Sequence, residues 1–192
     1  MALNAYARSA TDRVVLPIAR ALVRAGATAN WLTFAGVVGT VLGTAVVLSG
    51  RAVLGALVLV VACAVDAFDG SVARLRGSSS AFGAFYDSVA DRISDAVIFG
   101  GVAWLVRDDP LSFTLAIVAL STALVTSYVR AKAESLGWDA TVGLVERPER
   151  LILIIAGIGL GLVEVALWLL AIGGAVTIAQ RFRAVLRQVP ST

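Results

Sequence analysis

Five aspartates fall within Val65–Ala96, a stretch that is otherwise mostly apolar or small. Asp66 and Asp69 are spaced i, i+3, and Asp87, Asp91 and Asp95 are spaced i, i+4, so on helices each set shares one face. The turn Arg76–Ser80 joins the two helices. At a 1.5 Å rise per residue, Asp69 lies about 10 Å back from that turn and Asp87 about the same distance along the next helix. Asp66, Asp69, Asp87 and Asp91 therefore meet at similar depth. Four converging carboxylates repel one another and take up protons unless something cationic lies between them. Divalent cations such as Mg²⁺ or Mn²⁺ answer that need, because they prefer hard oxygen ligands. A plainer account lets Arg74 and Arg92 neutralise two of the four in static ion pairs. Gly70, Ala73 and Gly83 fit the metal account better: small residues beside the carboxylates let helices approach closely or let a bulky phosphate reach the ions. The chain has no histidine, so it lacks the commonest zinc ligand and the usual general base. A catalytic base must be a carboxylate, Lys or Tyr.

The elements that carry these residues are expected to lie in a membrane. Of 192 residues, 59% are apolar, above the 45–50% of a water-soluble domain, and the mean hydropathy is +0.90. Apolar runs near the ~20 residues needed to cross a bilayer cover residues 31–49, 52–75, 82–106, 110–133, 147–163 and 165–183. The last two form a hairpin turning near Gly161–Glu164. The fold class is thus all-α, a polytopic bundle of six transmembrane helices over residues 30–188 in one domain spanning 1–192. Leu3–Ala25, with Arg8, Arg13, Arg20 and Arg24 set against Tyr6, Val14, Ile18 and Leu22, reads as an amphipathic helix lying on the membrane surface (residues 3–25), kinked at Pro17. That stretch does not have the form of a signal peptide. Six spans leave Arg51 and Arg107 on one side and the other loop and terminal basic residues on the opposite side, so both termini are expected in the cytoplasm. Trp31, Trp104, Trp138 and Trp168 fall at or near span ends, as an aromatic belt requires. The single cysteine, Cys63, excludes an internal disulfide.

The pattern Asp66-x2-Asp69-Gly70-x2-Ala73-Arg74-x8-Gly83-x3-Asp87-x3-Asp91 resembles the signature of the CDP-alcohol phosphatidyltransferase family at all eight fixed positions. Asn30-Trp31-Leu32-Thr33 resembles the family's Pro-Asn-x-x-Thr segment, with Ala29 in place of the proline. The resemblance implies a homodimer in the cell's inner (plasma) membrane, a cytoplasm-facing site with two metal ions, Mg²⁺ or Mn²⁺, and transfer of a phosphatidyl group from CDP-diacylglycerol to an alcohol. It implies that Asp66, Asp69 and Asp87 are metal ligands, and that Asp91 is both a ligand and the proton acceptor. It also implies that Asn30, Trp31, Leu32, Thr33, Gly70, Ala73, Arg74, Ser80 and Gly83 form the CDP-lipid pocket. A helix N-terminus with free N–H groups suits phosphate there, although Asn30 would serve equally as a simple helix cap.

Arg130 ends the fourth span, Arg150 opens the fifth and Arg181 closes the sixth, all on the side of the carboxylates. Together they suit an acceptor that itself carries a phosphate, since guanidinium groups hold phosphate bidentately. Lys132 and Arg147 belong to the same neighbourhood, where pairing with Glu134 and Glu146 competes. Lipid-headgroup anchoring is the bland account of each. These stretches resemble the actinobacterial branch of the family whose acceptor is L-myo-inositol 1-phosphate and whose product is phosphatidylinositol phosphate. Glycerol 3-phosphate, the acceptor of another branch, fits the same cations. From a different class, an ion or proton transporter also places carboxylates in the membrane, but it would spread them across the bilayer's depth. Nucleic acid is not an expected partner.

Overall fold

Short caps, not long loops, set the path of the chain. The computed structural model describes residues 15–78 and 80–189, and among them there is no strand. Helix α1 covers residues 15–24 of that range; the rest of the interfacial helix expected from residue 3, up to residue 14, lies outside the described residues. Thr28 then caps α2 (Ala29–Leu48), its side-chain oxygen accepting from the Trp31 N–H at 3.3 Å. Gly50, at φ +86°, turns the chain into α3 (Ala52–Asp66). The two helices pack closely enough that a Cβ on Gly55 would sit 2.7 Å from the Val47 backbone nitrogen.

The second expected span, 52–75, is interrupted at Ala67–Phe68, and α4 (Asp69–Arg76) continues beyond. This break falls between the first two aspartates, so Asp66 ends one helix and Asp69 begins the next. Gly77, at φ +62°, stops α4. Ser80 caps α5 (Ala81–Leu105) by accepting from the Gly83 N–H at 3.0 Å. Asp109 caps α6 (Pro110–Ser135), and hydrogen bonds from Ser112 hold its carboxyl below the ordinary carboxylate range. A connection over residues 136–146 leads to α7 (Arg147–Leu160), opened by a capping box between Glu146 and Glu149. Gly161, at φ +71°, reverses the chain into α8 (Val163–Leu186), at the position expected for the hairpin.

α2, the α3–α4 pair taken together, α6 and α8 are each long and apolar enough to cross a bilayer. That makes this an all-α membrane protein with four such helices by length and composition among the described residues, where the sequence suggests six. α5 has the length but carries Asp87, Asp91, Arg92 and Asp95. α7 has 14 residues, or about 21 Å of helix against a hydrocarbon core of about 30 Å. The main core joins α3, α5, α6, α7 and α8 through Leu59, Ile98, Phe99, Ala116, Ala119, Ile154, Leu167 and Leu170. A smaller cluster of Ala19, Leu32 and Val72 ties α1 and α4 to the start of α2. Together these clusters fix the ends of α2, α3, α4, α5 and α7 around one polar centre.

Candidate active site and metal centre

Asp66, Asp69 and Asp87 reach this centre from the end of α3, the start of α4 and the first turns of α5. One carboxylate oxygen from each lies within 4.8 Å of the others. Their approach depends on α2 passing close by: a Cβ on Gly36 would meet the Asp66 Cβ at 3.0 Å and its Oδ1 at 3.2 Å. The buried Thr33 hydroxyl donates to Asp69 Oδ2 at 2.7 Å, and the Gly70 N–H donates to Asp69 Oδ1. Asp91, one turn along α5, is not part of this trio. It is flanked by cations, with Arg147 Nη1 2.8 Å from its Oδ1 and Arg92 Nη2 3.6 Å from its Oδ2. The same Arg147 nitrogen donates to Asp66 Oδ2 at 3.1 Å.

This arrangement separates the two accounts of the carboxylates. Arg74 does not neutralise an aspartate; its Nη2 donates to Ser71 Oγ at 3.1 Å. Arg92 and Arg147 serve Asp91 and Asp66, while Asp69 and Asp87 have no ion-pair partner among the described residues. An all-oxygen donor set in which two of three carboxylates have no arginine to compensate them fits a hard divalent cation.

Two clefts open on either side of Asp87. The smaller, about 240 Å³, is lined by Asn30, Thr33, Asp69, Gly70, Ala73, Arg74, Ser80, Gly83 and Asp87. Trp31 and Leu32 do not line it. Trp31 is exposed and stacks on Phe34 at 5.4 Å, and Leu32 is buried against the α1–α4 cluster. Helical geometry accounts for the split, since Asn30 and Thr33 share a face that the two residues between them cannot.

The larger cleft, about 520 Å³, is lined by Asp87, Asp91, Arg92, Arg130, Glu134, Glu146, Arg147, Arg150 and Arg181, among others. Lys132, exposed on α6, does not reach it. Its arginines are held individually. Arg130 Nε pairs with Glu134 Oε1 at 2.8 Å, and Arg150 Nη2 with Asp95 Oδ2 at 2.7 Å. Arg181 donates to the Val142 and Thr126 carbonyls, both at 2.8 Å, and to Glu146 Oε1 at 3.0 Å. The two clefts share Ala84 and Asp87. A third groove of about 490 Å³, lined by Val60, Cys63, Leu151, Ile152 and Ile155, runs between α3 and α7 and ends at Asp66 and Arg147.

The family model for CDP-alcohol phosphatidyltransferase matches residues 27–179, a range that contains the aspartates and nearly all of both clefts. The chain belongs to the CDP-alcohol phosphatidyltransferase family. The phosphatidylinositol phosphate synthase of Mycobacterium marinum is 38% identical to this transferase over 191 residues, covering 93% of this chain and 82% of the relative. That of Corynebacterium glutamicum is 37% identical, covering 93% and 87%. The crystal structure of Mycobacterium tuberculosis phosphatidylinositol phosphate synthase with CDP-DAG bound superposes with a TM-score of 0.82 at 36% identity, covering 90% of this chain and 94% of that one. Its complex with manganese and citrate gives 0.83 at 35% identity, covering 90% and 89%. Two features of this phosphatidyltransferase's site were given no binding role in the sequence, Arg92 in the larger cleft and Asp95 behind it; Arg147, grouped there with the acceptor's cations, lines that cleft and also bridges Asp66 and Asp91. The i, i+4 series through Asp87, Asp91 and Asp95 was the signal available for Asp95.

Proposed function

We propose that this phosphatidyltransferase moves the phosphatidyl group of CDP-diacylglycerol to L-myo-inositol 1-phosphate, forming phosphatidylinositol phosphate and releasing CMP. The observation that carries the reading is the meeting of two clefts of different character at Asp87, one with small residues and a single arginine, the other with five arginines. The names of the relatives support it, as does the relative's crystal structure with CDP-DAG.

The nucleotide and pyrophosphate of the donor lie in the smaller cleft, where Gly70, Ala73 and Gly83 leave room, Arg74 offers a charge, and Asn30 and Ser80 offer polar atoms. The acyl chains leave through the apolar groove between α3 and α7. Asp66, Asp69, Asp87 and Asp91 hold two divalent cations, Mg²⁺ or Mn²⁺, and a relative's manganese complex supports that metal class. When bound, such ions neutralise the pyrophosphate and the charge that develops at the transferring phosphorus. The remaining work is positioning, as phosphoryl-type transfer requires. Arg150, Arg181, Arg130 and Arg147 hold the acceptor's phosphate in the larger cleft. Asp91, which lines that cleft, takes the proton of the attacking hydroxyl.

The bundle is read as a single domain that crosses the plasma membrane six times as a homodimer, with both termini and the site at the cytoplasmic face. α5 can serve as a span because its charged face turns toward Arg147 and Arg150 rather than lipid. α7 can serve because its arginine-bearing end extends inward to the polar surface.

The test is CMP release from CDP-diacylglycerol by the purified protein with Mn²⁺ or Mg²⁺, comparing L-myo-inositol 1-phosphate, glycerol 3-phosphate, free inositol and serine. Release is expected to be fastest with inositol 1-phosphate. Preference for glycerol 3-phosphate would refute the acceptor, and no release with any alcohol would refute the reaction.

A further inference from the structure

Asp95 lies one turn beyond Asp91 on α5 and is fully buried, yet it belongs neither to the metal-binding trio nor to the lining of either cleft. Arg150, itself 4% exposed, donates from Nη2 to Asp95 Oδ2 at 2.7 Å. Arg147 Nε lies 3.9 Å from Asp95 Oδ1, a buried oxygen that accepts no hydrogen bond among the described residues. Both arginines line the larger cleft. The carboxylate therefore hydrogen-bonds one cleft guanidinium and lies within ion-pair distance of a second, without itself lining the cleft. A buried guanidinium without a counter-charge is strongly disfavoured, and without a fixed partner it would not present one constant edge to a phosphate. An arginine held by one terminal nitrogen keeps the rest of its planar fork set.

We propose that Asp95 is the positioning residue of the acceptor cleft, fixing Arg150 chiefly and Arg147 secondarily in the orientation that receives the phosphate of an alcohol phosphate. This rests on the reading of that cleft given above. The rival is a plain staple between α5 and α7 with no bearing on acceptor recognition.

The experiment compares wild type, Asp95→Asn, Arg150→Gln and the double variant. CMP release is measured while L-myo-inositol 1-phosphate is varied at saturating CDP-diacylglycerol, and then the reverse. Asp95→Asn is expected to raise the KM for inositol 1-phosphate at least about tenfold while that for the lipid changes less than about twofold. In the Arg150→Gln background, Asp95→Asn is expected to raise it by no more than about twofold again. Equal rises in both KM values, or a lower kcat with both KM values unchanged, would overturn the proposal. So would independent, multiplying effects of the two substitutions on the acceptor KM. If Asp95→Asn alone does not fold, Arg150→Gln against the double variant still decides: a folded double variant with the acceptor KM of Arg150→Gln supports the proposal, and an unfolded one overturns it. A wild-type enzyme that uses free inositol as well as inositol 1-phosphate would instead overturn the acceptor reading itself.

Discussion

Thr33→Val tests whether the carboxylate trio is a metal site. The Thr33 hydroxyl has one proton and two neighbouring acceptors, Asp69 Oδ2 at 2.7 Å and the Ala29 carbonyl at 3.1 Å. The shorter, charge-assisted bond takes the proton. Valine has nearly the same shape at this buried position but offers no donor, so Asp69 keeps only the Gly70 N–H. A hydrogen bond to a charged group contributes about 1.5–3 kcal/mol. Loss of such a partner behind a metal ligand typically lowers metal affinity about 10–100-fold. Those two figures agree, because 10–100-fold is about 1.4–2.8 kcal/mol. The assay is CMP release against Mn²⁺ concentration, with free Mn²⁺ followed by electron paramagnetic resonance so that binding is read without turnover. The half-saturating Mn²⁺ concentration is expected to rise about 10–100-fold, kcat at saturating metal to stay near wild type, and Thr33→Ser, which keeps the donor, to restore the wild-type value. Unchanged Mn²⁺ binding in a folded Thr33→Val protein would refute the reasoning, since Asp69 could not then be a ligand oriented by Thr33.

Other substitutions probe the larger cleft. Asp91→Asn is expected to abolish CMP release while leaving CDP-diacylglycerol binding measurable by calorimetry; retained turnover would remove Asp91 from its role as base. Arg181→Ala removes donors to the Thr126 and Val142 carbonyls and to Glu146, and should lower stability by about 2–4 kcal/mol, read as a fall in Tm in detergent. Lys132→Ala, outside the cleft, should leave the acceptor KM within about twofold of wild type, where Arg150→Ala raises it more than it raises the lipid KM.

How much of this site could be read before any coordinates followed from how local each feature is. The facing of Asp87 with Asp91 needs only the helical period, and the choice of Gly70, Ala73 and Gly83 needs only their nearness to the aspartates in sequence; Asp66 and Asp69 come together across a break at Ala67–Phe68 that the period does not show. The same period, applied within Asn30–Thr33, separates Asn30 and Thr33 from Trp31 and Leu32; taking the whole segment as pocket ignored it. Lys132 is excluded on similar grounds, two residues from Arg130 and so on another face of α6. Arg147 could not be placed this way. Sequence neighbours suggested Glu146, but the capping box engages Glu146 at the helix start and Arg181 takes its side chain, which leaves Arg147 to the aspartates of α3 and α5. Such pairing depends on how α7 crosses those helices. The number of spans is likewise a tertiary matter, because Asp91 and Asp95 of α5 are paired with arginines that α7 brings.

In the proposed reaction, Asp87, which lines both clefts, is where their chemistry joins. Phosphoryl transfer places the attacking and leaving oxygens roughly in line across phosphorus, so donor and acceptor need separate approaches that converge on one point. A single deep pocket would admit both from the same side and favour displacement of one ligand by the other. Here α5 provides the dividing wall: Gly83 and Asp87 face the smaller cleft, while Asp87, Asp91 and Arg92 face the larger. The charge on the two sides differs as well. The smaller cleft has one arginine and leaves Asp69 and Asp87 uncompensated, so it favours a pyrophosphate that arrives with cations. The larger has five arginines and can take an anion without any. On the proposed assignment of the clefts, a phosphate on the acceptor helps to keep the acceptor in the larger one, because it competes poorly for a side whose fixed charge is negative.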